Sequence, residues 1–215
     1  MSKKIMLLTI AVASVAIFAL PAAVSAQEVH LENVTSFEGT GGAGSLTAEG
    51  EPWFTCESLH VNGIFTAAGT TGEMSLDFTG CHFQPFPGFT AKCHTSGSAL
   101  DNTNKSSGTF HLITINSGKP GILVTPVVTT VQCAGITNTI IGGNVIGTIT
   151  SPACGVESTE MTTTFAATES TQQHKTYTGT TFTLTSKTGD NAPKNAGLIE
   201  TWTTRSATKG KLNCT

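Results

Sequence analysis

The residues with the most reactive side chains in this chain form two Cys-His pairs, Cys81-His82 and Cys93-His94. Zinc is bound by Cys and His side chains at close spacing, so this pattern raises the question of a metal site. Neighbouring residues on a strand point to opposite faces, so neither pair readily presents both ligands to one ion. We therefore predict no metal and no cofactor. A weak metal pair formed by His82 and His94 across a hairpin is the alternative.

The chain begins with the three parts of a secretory signal peptide. A basic start, MSKK, precedes the apolar run IMLLTIAVASVAIFAL, and the small residues of PAAVSA follow it. We predict cleavage after Ala26, which places the mature protein, residues 27–215, outside a bacterial cell by the general export route. No later segment has the roughly 20 apolar residues of a spanning helix, so no stable membrane span is expected after cleavage.

All six cysteines lie in the mature part, and an even number in an exported protein predicts disulfide bonds. The segment between Cys81 and Cys93 contains Pro85 and Pro87 and must turn back on itself, which favours a bond across its base. Cys56 and Cys133 lie in strand patterns and could bridge neighbouring strands, although the sequence leaves other pairings open. We predict the pairs Cys56–Cys133, Cys81–Cys93 and Cys154–Cys214.

Three aromatic residues of the same segment, Phe83, Phe86 and Phe89, alternate with proline and glycine. A rigid apolar loop is suited to contact a partner, which makes these residues the candidate binding loop. The commoner arrangement is that such rings pack beneath the loop as a small satellite cluster. The partner would be an unknown extracellular protein or surface ligand.

Motifs for catalysis are missing from the sequence. It contains no G-x-S-x-G elbow, no H-E-x-x-H and no glycine-rich phosphate loop. Glu157 and Glu160 differ by an odd number and would face opposite sides of one strand. We predict no catalytic residues and no enzymatic activity. The alternative is a secreted hydrolase whose site is assembled from distant His and Glu residues.

The charge balance excludes one class of partner. The net charge is −3, and Arg205 is the only arginine in the sequence. Nucleic-acid binding requires basic patches that neutralise phosphates, so we predict no nucleic-acid partner.

The elements that must position these residues are strands. The segment GEMSLDFTGC alternates, with Met74, Leu76 and Phe78 on one face, as in a half-buried strand. Similar segments, separated by turn signals, predict about ten to twelve short strands and no helix in the mature chain. We predict an all-β, antiparallel β-sandwich, or a partly closed barrel, in a single domain over 27–215. A soft boundary is possible at 150–155, where threonine becomes more frequent.

Residues 50–165 resemble a group of exported, uncharacterised β-rich proteins of actinobacteria. The likeness lies in FTCESLHVNGIFT, MSLDFTGC, AKCHTSGSA and VTTVQCAG followed by GNVIGTITSP. The order of Cys56, Cys81, Cys93 and Cys133 matches that group, whereas Cys154 and Cys214 depart from it. The resemblance implies an exported β domain in which the first four cysteines form two pairs, and it implies no activity. Together these features predict a secreted, disulfide-stabilised protein with a non-catalytic binding or structural role.

Overall fold

A computed structural model describes residues 29–48, 51–67, 69–86, 88–96, 102–133, 139–176 and 178–214. Within these ranges the fold is all-β, with 76% of the described residues in strands and no helix. Every strand pairing in the described part is antiparallel, as the sequence predicts. The predicted signal peptide, residues 1–26, lies outside the described residues.

The described ranges contain sixteen strands. The first eight are β1 (Val29–Glu32), β2 (Ser36–Gly41), β3 (Gly44–Ala48), β4 (Glu51–Cys56), β5 (Ser58–Ala67), β6 (Thr71–Thr79), β7 (His82–Phe86) and β8 (Phe89–Thr95). The others are β9 (Thr103–Thr114), β10 (Pro120–Cys133), β11 (Thr139–Ser151), β12 (Glu157–Phe165), β13 (Ala167–Thr168), β14 (Thr171–Gln172), β15 (Leu184–Thr188) and β16 (Lys194–Cys214). The sequence predicts about ten to twelve strands, fewer than the structure has. Two of the additional strands, β13 and β14, have only two residues each and carry no periodic signal.

Fourteen of these strands form one large sheet that is partly ring-shaped. A closed circuit of pairings runs through β11, β15, β16, β2, β5, β6, β9 and β10 and back to β11. The strands β3, β4, β7 and β8 make a second connection from β16 to β10. The segment 152–156, which includes most of the predicted soft boundary, joins β11 to β12, and these two strands pair with each other.

The core lies on the inner face of this sheet. On β6, Met74 and Leu76 are buried and Phe78 packs against the same cluster, as the alternation of the segment predicts. Trp202 is 1% exposed, and its ring centroid lies 4.5 Å from that of Phe165. Burial of such large apolar side chains on one face is the main stabilising contribution to a half-buried sheet.

All six cysteines are bonded, but two of the three predicted pairs are wrong. The bonds join Cys56 to Cys81, Cys93 to Cys133 and Cys154 to Cys214, so only the last predicted pair is confirmed. A bond between Cys56 and Cys133 is excluded because β7 and β8 separate their strands. Three strand spacings amount to roughly 14 Å, twice the span of a disulfide.

The turn does bring Cys81 and Cys93 opposite each other, although they are not bonded to each other. His82 pairs with Lys92, so the next residues outward, Cys81 and Cys93, also lie opposite each other. The Cys93 N–H donates to the Cys81 carbonyl oxygen at 3.0 Å. Each of these two cysteines nevertheless bonds to the strand on its outer side. A local hairpin pattern identifies the cysteine across the turn and carries no information about the strands that flank the hairpin.

Candidate functional site

The hairpin of β7 and β8 carries the predicted binding loop. Phe86 and Phe89 are paired across its end, and Gly88 adopts a φ of +85°, which glycine accepts without strain. The Phe89 side chain is 41% exposed. Part of this side chain therefore lies at the protein surface.

The three phenylalanines do not form one shared tip. Phe83 is partly buried and packs against the main core, opposite Ala91, which is 3% exposed. Phe83 therefore has a packing role, whereas Phe89 faces outward. The side chain of Phe86 lies outside the described residues.

Both ring nitrogens of His82 are engaged by neighbours. The Nδ1–H donates to the Gly80 carbonyl oxygen at 3.2 Å, so Nε2 accepts from the Thr55 hydroxyl at 2.9 Å. Within the part of the chain that the structure describes, no group of three or more His, Cys, Asp or Glu side chains could hold a metal ion. His82 is paired with Lys92 across the hairpin, and His94 is paired with Gln132 of β10.

A second candidate lies on the outer face of the sheet and was not predicted. Backbone register aligns polar side chains in two rows across six strands, β12, β16, β2, β5, β6 and β9. The first row is Glu160, Arg205, Glu38, Asn62, Ser75 and Ser107. The second row is Thr162, Thr203, Thr40, His60, Asp77 and Lys105.

Two depressions on this face share Glu38 and Arg205, and together we call them the outer trough. The larger has a volume of about 600 Å³ and the smaller about 360 Å³. The larger is lined by residues that include Ser36, Glu38, Asn62, Glu73, Ser75 and Arg205. The smaller is lined by Glu38, Gly39, Thr40, His60, Thr203 and Arg205. Concavities of several hundred Å³ are the size that small ligands and short peptide segments occupy.

Only some of the charged groups of the outer trough form ion pairs. Arg205 Nη2 lies 3.0 Å from Glu160 Oε1, at the rim. Among the described residues, Glu38 and Glu73 have no ion pair. Asn62 donates to His60 Nδ1 at 3.1 Å, so a neutral His60 carries its proton on Nε2. The trough therefore combines two free carboxylates with an amide, an imidazole and several hydroxyls.

These residues gave no signal in the sequence because each lies on the polar side of an ordinary alternating strand. Glu38, His60, Glu73 and Arg205 come from four different strands, and only the register of the finished sheet brings them to one surface.

One buried carboxylate lies on the inner face instead. Glu200 is 3% exposed, its Oε1 accepts from the Thr201 N–H at 3.0 Å, and Oε2 has no hydrogen-bond partner among the described residues. A β-carbon on Gly44 would overlap this carboxylate, so the glycine makes room for it. Burial raises the pKa of Glu200 to about 7 from an ordinary value of 4.5, and the hydrogen bond from Thr201 counteracts part of that rise.

A half-buried imidazole is shifted the other way. Burial, with a smaller contribution from the positive charge of Lys119, lowers the pKa of His174 below its ordinary value of 6.5. His174 Nε2 lies 3.1 Å from the Thr148 hydroxyl. This histidine belongs to the segment that covers β11, away from the outer trough.

The interior also contains a small apolar cavity of about 50 Å³. Its lining includes Leu76, Val131, Trp202 and the Ser106 side chain, whose hydroxyl has no hydrogen-bond partner among the described residues. This volume is well below that of a ligand pocket, so the cavity is a packing defect of the core.

No protein-family profile, curated protein or solved structure shows a significant match to the chain. Within the described ranges, no helix has the length and hydrophobicity that crossing a bilayer requires.

Proposed function

We propose that this chain is an exported, non-catalytic interaction protein that binds a cationic, hydrogen-bonding ligand in the outer trough. The observation that carries the proposal is the trough itself, in which polar side chains from separate strands converge on a concavity of ligand size. The ligand would be a basic segment of an extracellular protein, and the function would be recognition without chemistry.

The charges of the trough favour a cationic partner. Glu38 and Glu73 are two strands apart and two residues out of register, so their side chains start roughly 12 Å from each other. That separation suits an extended segment with two basic groups and is too large for one ion or for a glycosidase carboxylate pair. Phe37, the aromatic ring in the lining, is 7% exposed, so sugar stacking is not the favoured mode.

Export is supported by the covalent structure. Three disulfides without a free cysteine in the described part are typical of a protein that matures in an oxidising compartment. The predicted signal peptide accounts for the route to that compartment. These features support the proposal that the mature protein works outside the cell.

The hairpin with Phe89 is the second contact surface in this proposal. An exposed ring on a hairpin anchored by bonds to both flanking strands contributes apolar contact at little entropic cost. It lies on the other branch of the sheet from the outer trough, so the two surfaces can be tested separately.

The test is a titration of isotope-labelled mature protein with tetralysine, followed by amide chemical shifts. We expect shifts confined to 36–40, 60–64, 73–75 and 203–207, and none with tetraglutamate. The double variant Glu38→Gln/Glu73→Gln should weaken binding at least tenfold, whereas Glu157→Gln, an exposed control at the start of β12, should not. Absent or scattered shifts, or equal binding by both variants, would overturn the proposal.

A hydrolase is the second candidate, because the smaller depression does bring a distant His and Glu together, His60 and Glu38. The hydrogen-bond partner of His60 Nδ1 is the Asn62 amide, whereas a general base is usually oriented by a carboxylate. Chromogenic ester, glycoside and peptide substrates distinguish the two functions. Turnover by the wild type that His60→Gln abolishes would favour the hydrolase, and equal background rates would favour binding.

A further inference from the structure

The first four cysteines occupy one row across four adjacent strands. Thr55 pairs with His82, His82 with Lys92, and Cys133 with Cys93, so the register aligns Cys56, Cys81, Cys93 and Cys133 side by side. We call these four residues the cysteine row. All four belong to the same buried cluster and therefore point to the same face of the sheet.

The two central cysteines are close enough to bond to each other. Cys81 and Cys93 are opposite residues joined by a backbone hydrogen bond of 3.0 Å. The Cys81 N–H donates to the Asn102 carbonyl oxygen instead, so the pair makes one of the two possible ladder bonds. Opposite residues of antiparallel strands have Cα atoms about 4.5 to 5.5 Å apart, which lies within the range found in disulfides. A Cys81–Cys93 bond therefore needs side-chain rotation and no rearrangement of strands.

The exposed fractions of the four cysteines favour attack by a reductant at the two ends of the row. Cys56 and Cys133 are each 4% exposed, whereas Cys81 and Cys93 are completely buried. A thiolate attacks the sulfur that it can reach and expels the other sulfur of the bond. Attack at Cys56 expels the Cys81 thiolate, and attack at Cys133 expels the Cys93 thiolate. In both cases the expelled thiolate belongs to a central cysteine, which lies beside the other disulfide bond of the row.

We propose that the cysteine row is a two-electron redox site that reacts with dithiols by internal disulfide exchange. One dithiol thiolate attacks Cys56 Sγ, and the second thiol resolves the mixed disulfide, leaving a Cys56 thiol and an oxidised dithiol. The expelled Cys81 thiolate attacks Cys93 Sγ, and Cys133 leaves and takes up a proton. The products are one Cys81–Cys93 bond and thiols at Cys56 and Cys133, so two electrons and two protons have been transferred.

This exchange changes how the hairpin is held. In the oxidised protein, bonds tie β7–β8 to β4 on one side and to β10 on the other. After exchange the one bond left in the cysteine row joins the two strands of the hairpin to each other. The hairpin is then connected to β4 only by the single backbone pair of Thr55 with His82. The redox state of the row thus sets the freedom of the hairpin that carries Phe89.

Because Cys154 is exposed and its bond would react first, the test uses both the wild-type mature protein and the Cys154→Ser/Cys214→Ser variant. Each is treated with one equivalent of dithiothreitol per remaining accessible bond, quenched with acid, alkylated and analysed by non-reducing peptide mass spectrometry. We expect alkylated Cys56 and Cys133 together with a linked Cys81–Cys93 peptide, and faster amide exchange across 82–95. Thiols at Cys56 and Cys81 with an intact Cys93–Cys133 bond would overturn the proposal. So would simultaneous appearance of all six thiols, because reduction would then require global unfolding.

Paired variants test the geometry independently of the reductant. Cys56→Ser/Cys133→Ser should fold and form the Cys81–Cys93 bond, whereas Cys81→Ser/Cys93→Ser should retain two free thiols at the ends of the row. Cys154→Ser/Cys214→Ser is the matched control, because that bond lies outside the row and its loss should leave the exchange pattern unchanged. Formation of a Cys56–Cys133 bond within a folded protein would refute the row.

Discussion

Replacement of the buried Glu200 by glutamine should remove most of the loss of stability that the protein suffers at alkaline pH. The folded state holds the proton of Glu200 more tightly than the unfolded chain does, since its pKa is about 7 in the fold and 4.5 ordinarily. The stabilisation is complete below pH 4.5 and is lost as the pH rises through 7. The cause is burial of a carboxylate with one oxygen unpaired.

The magnitude follows from the same two values. At roughly 1.4 kcal/mol per pH unit, the difference between a pKa of 4.5 and one of about 7 corresponds to about 3 kcal/mol above pH 8. Glutamine keeps the shape of the side chain and an oxygen that accepts from the Thr201 N–H. The variant should therefore be more stable than the wild type at pH 9 and close to it at pH 5.

The assay is urea unfolding of both proteins at pH 5, 7 and 9 with the disulfides intact. The difference between their free energies of unfolding isolates Glu200, because other titrating groups, His174 included, contribute equally to both. Glu157→Gln serves as the exposed control and should give the wild-type curve at each pH. Parallel pH dependence in wild type and Glu200→Gln would refute this reasoning.

Three further substitutions test the interior and the covalent frame. Ser106→Val should raise the melting temperature by about 2–4 °C, because it removes an unpaired buried hydroxyl and fills part of the apolar cavity; a lower melting temperature would contradict this account. Gly63→Ala should cost about 1–3 kcal/mol in urea unfolding, because its β-carbon overlaps the Phe37 ring, whereas Gly142→Ala should be tolerated since no atom lies closer than 4.0 Å; equal effects would argue against the packing. Cys154→Ser/Cys214→Ser should cost about 4 kcal/mol by freeing a 60-residue loop, and unchanged unfolding would show that the bond adds nothing.

The sequence predicts local features of this fold well and non-local ones poorly. The alternation of Met74, Leu76 and Phe78 identifies both the strand and its buried face, because a period of two is encoded within a few residues. The class of fold follows from many such segments joined by short turns.

The cysteine pairs and the outer trough depend on which strands become neighbours. Cys56 bonds to Cys81 because β4 lies beside β7, and that adjacency is not written in either segment. Glu38 and Arg205 are far apart in the chain and meet through the pairing of β2 with β16. The order of strands in the sheet depends on how the whole core packs, so it cannot be predicted from separate segments.

The length of β16 has a consequence for when this protein can acquire its structure. This strand, the last of the described strands in chain order, pairs with β1, β2, β3, β12 and β15. The earlier segments therefore lack their common partner until nearly the whole chain has been synthesised. Contacts between such distant segments make folding slow and concerted. In a nascent chain, β1, β2, β3, β12 and β15 therefore remain without this partner until β16 has been made, which suits the export that we propose.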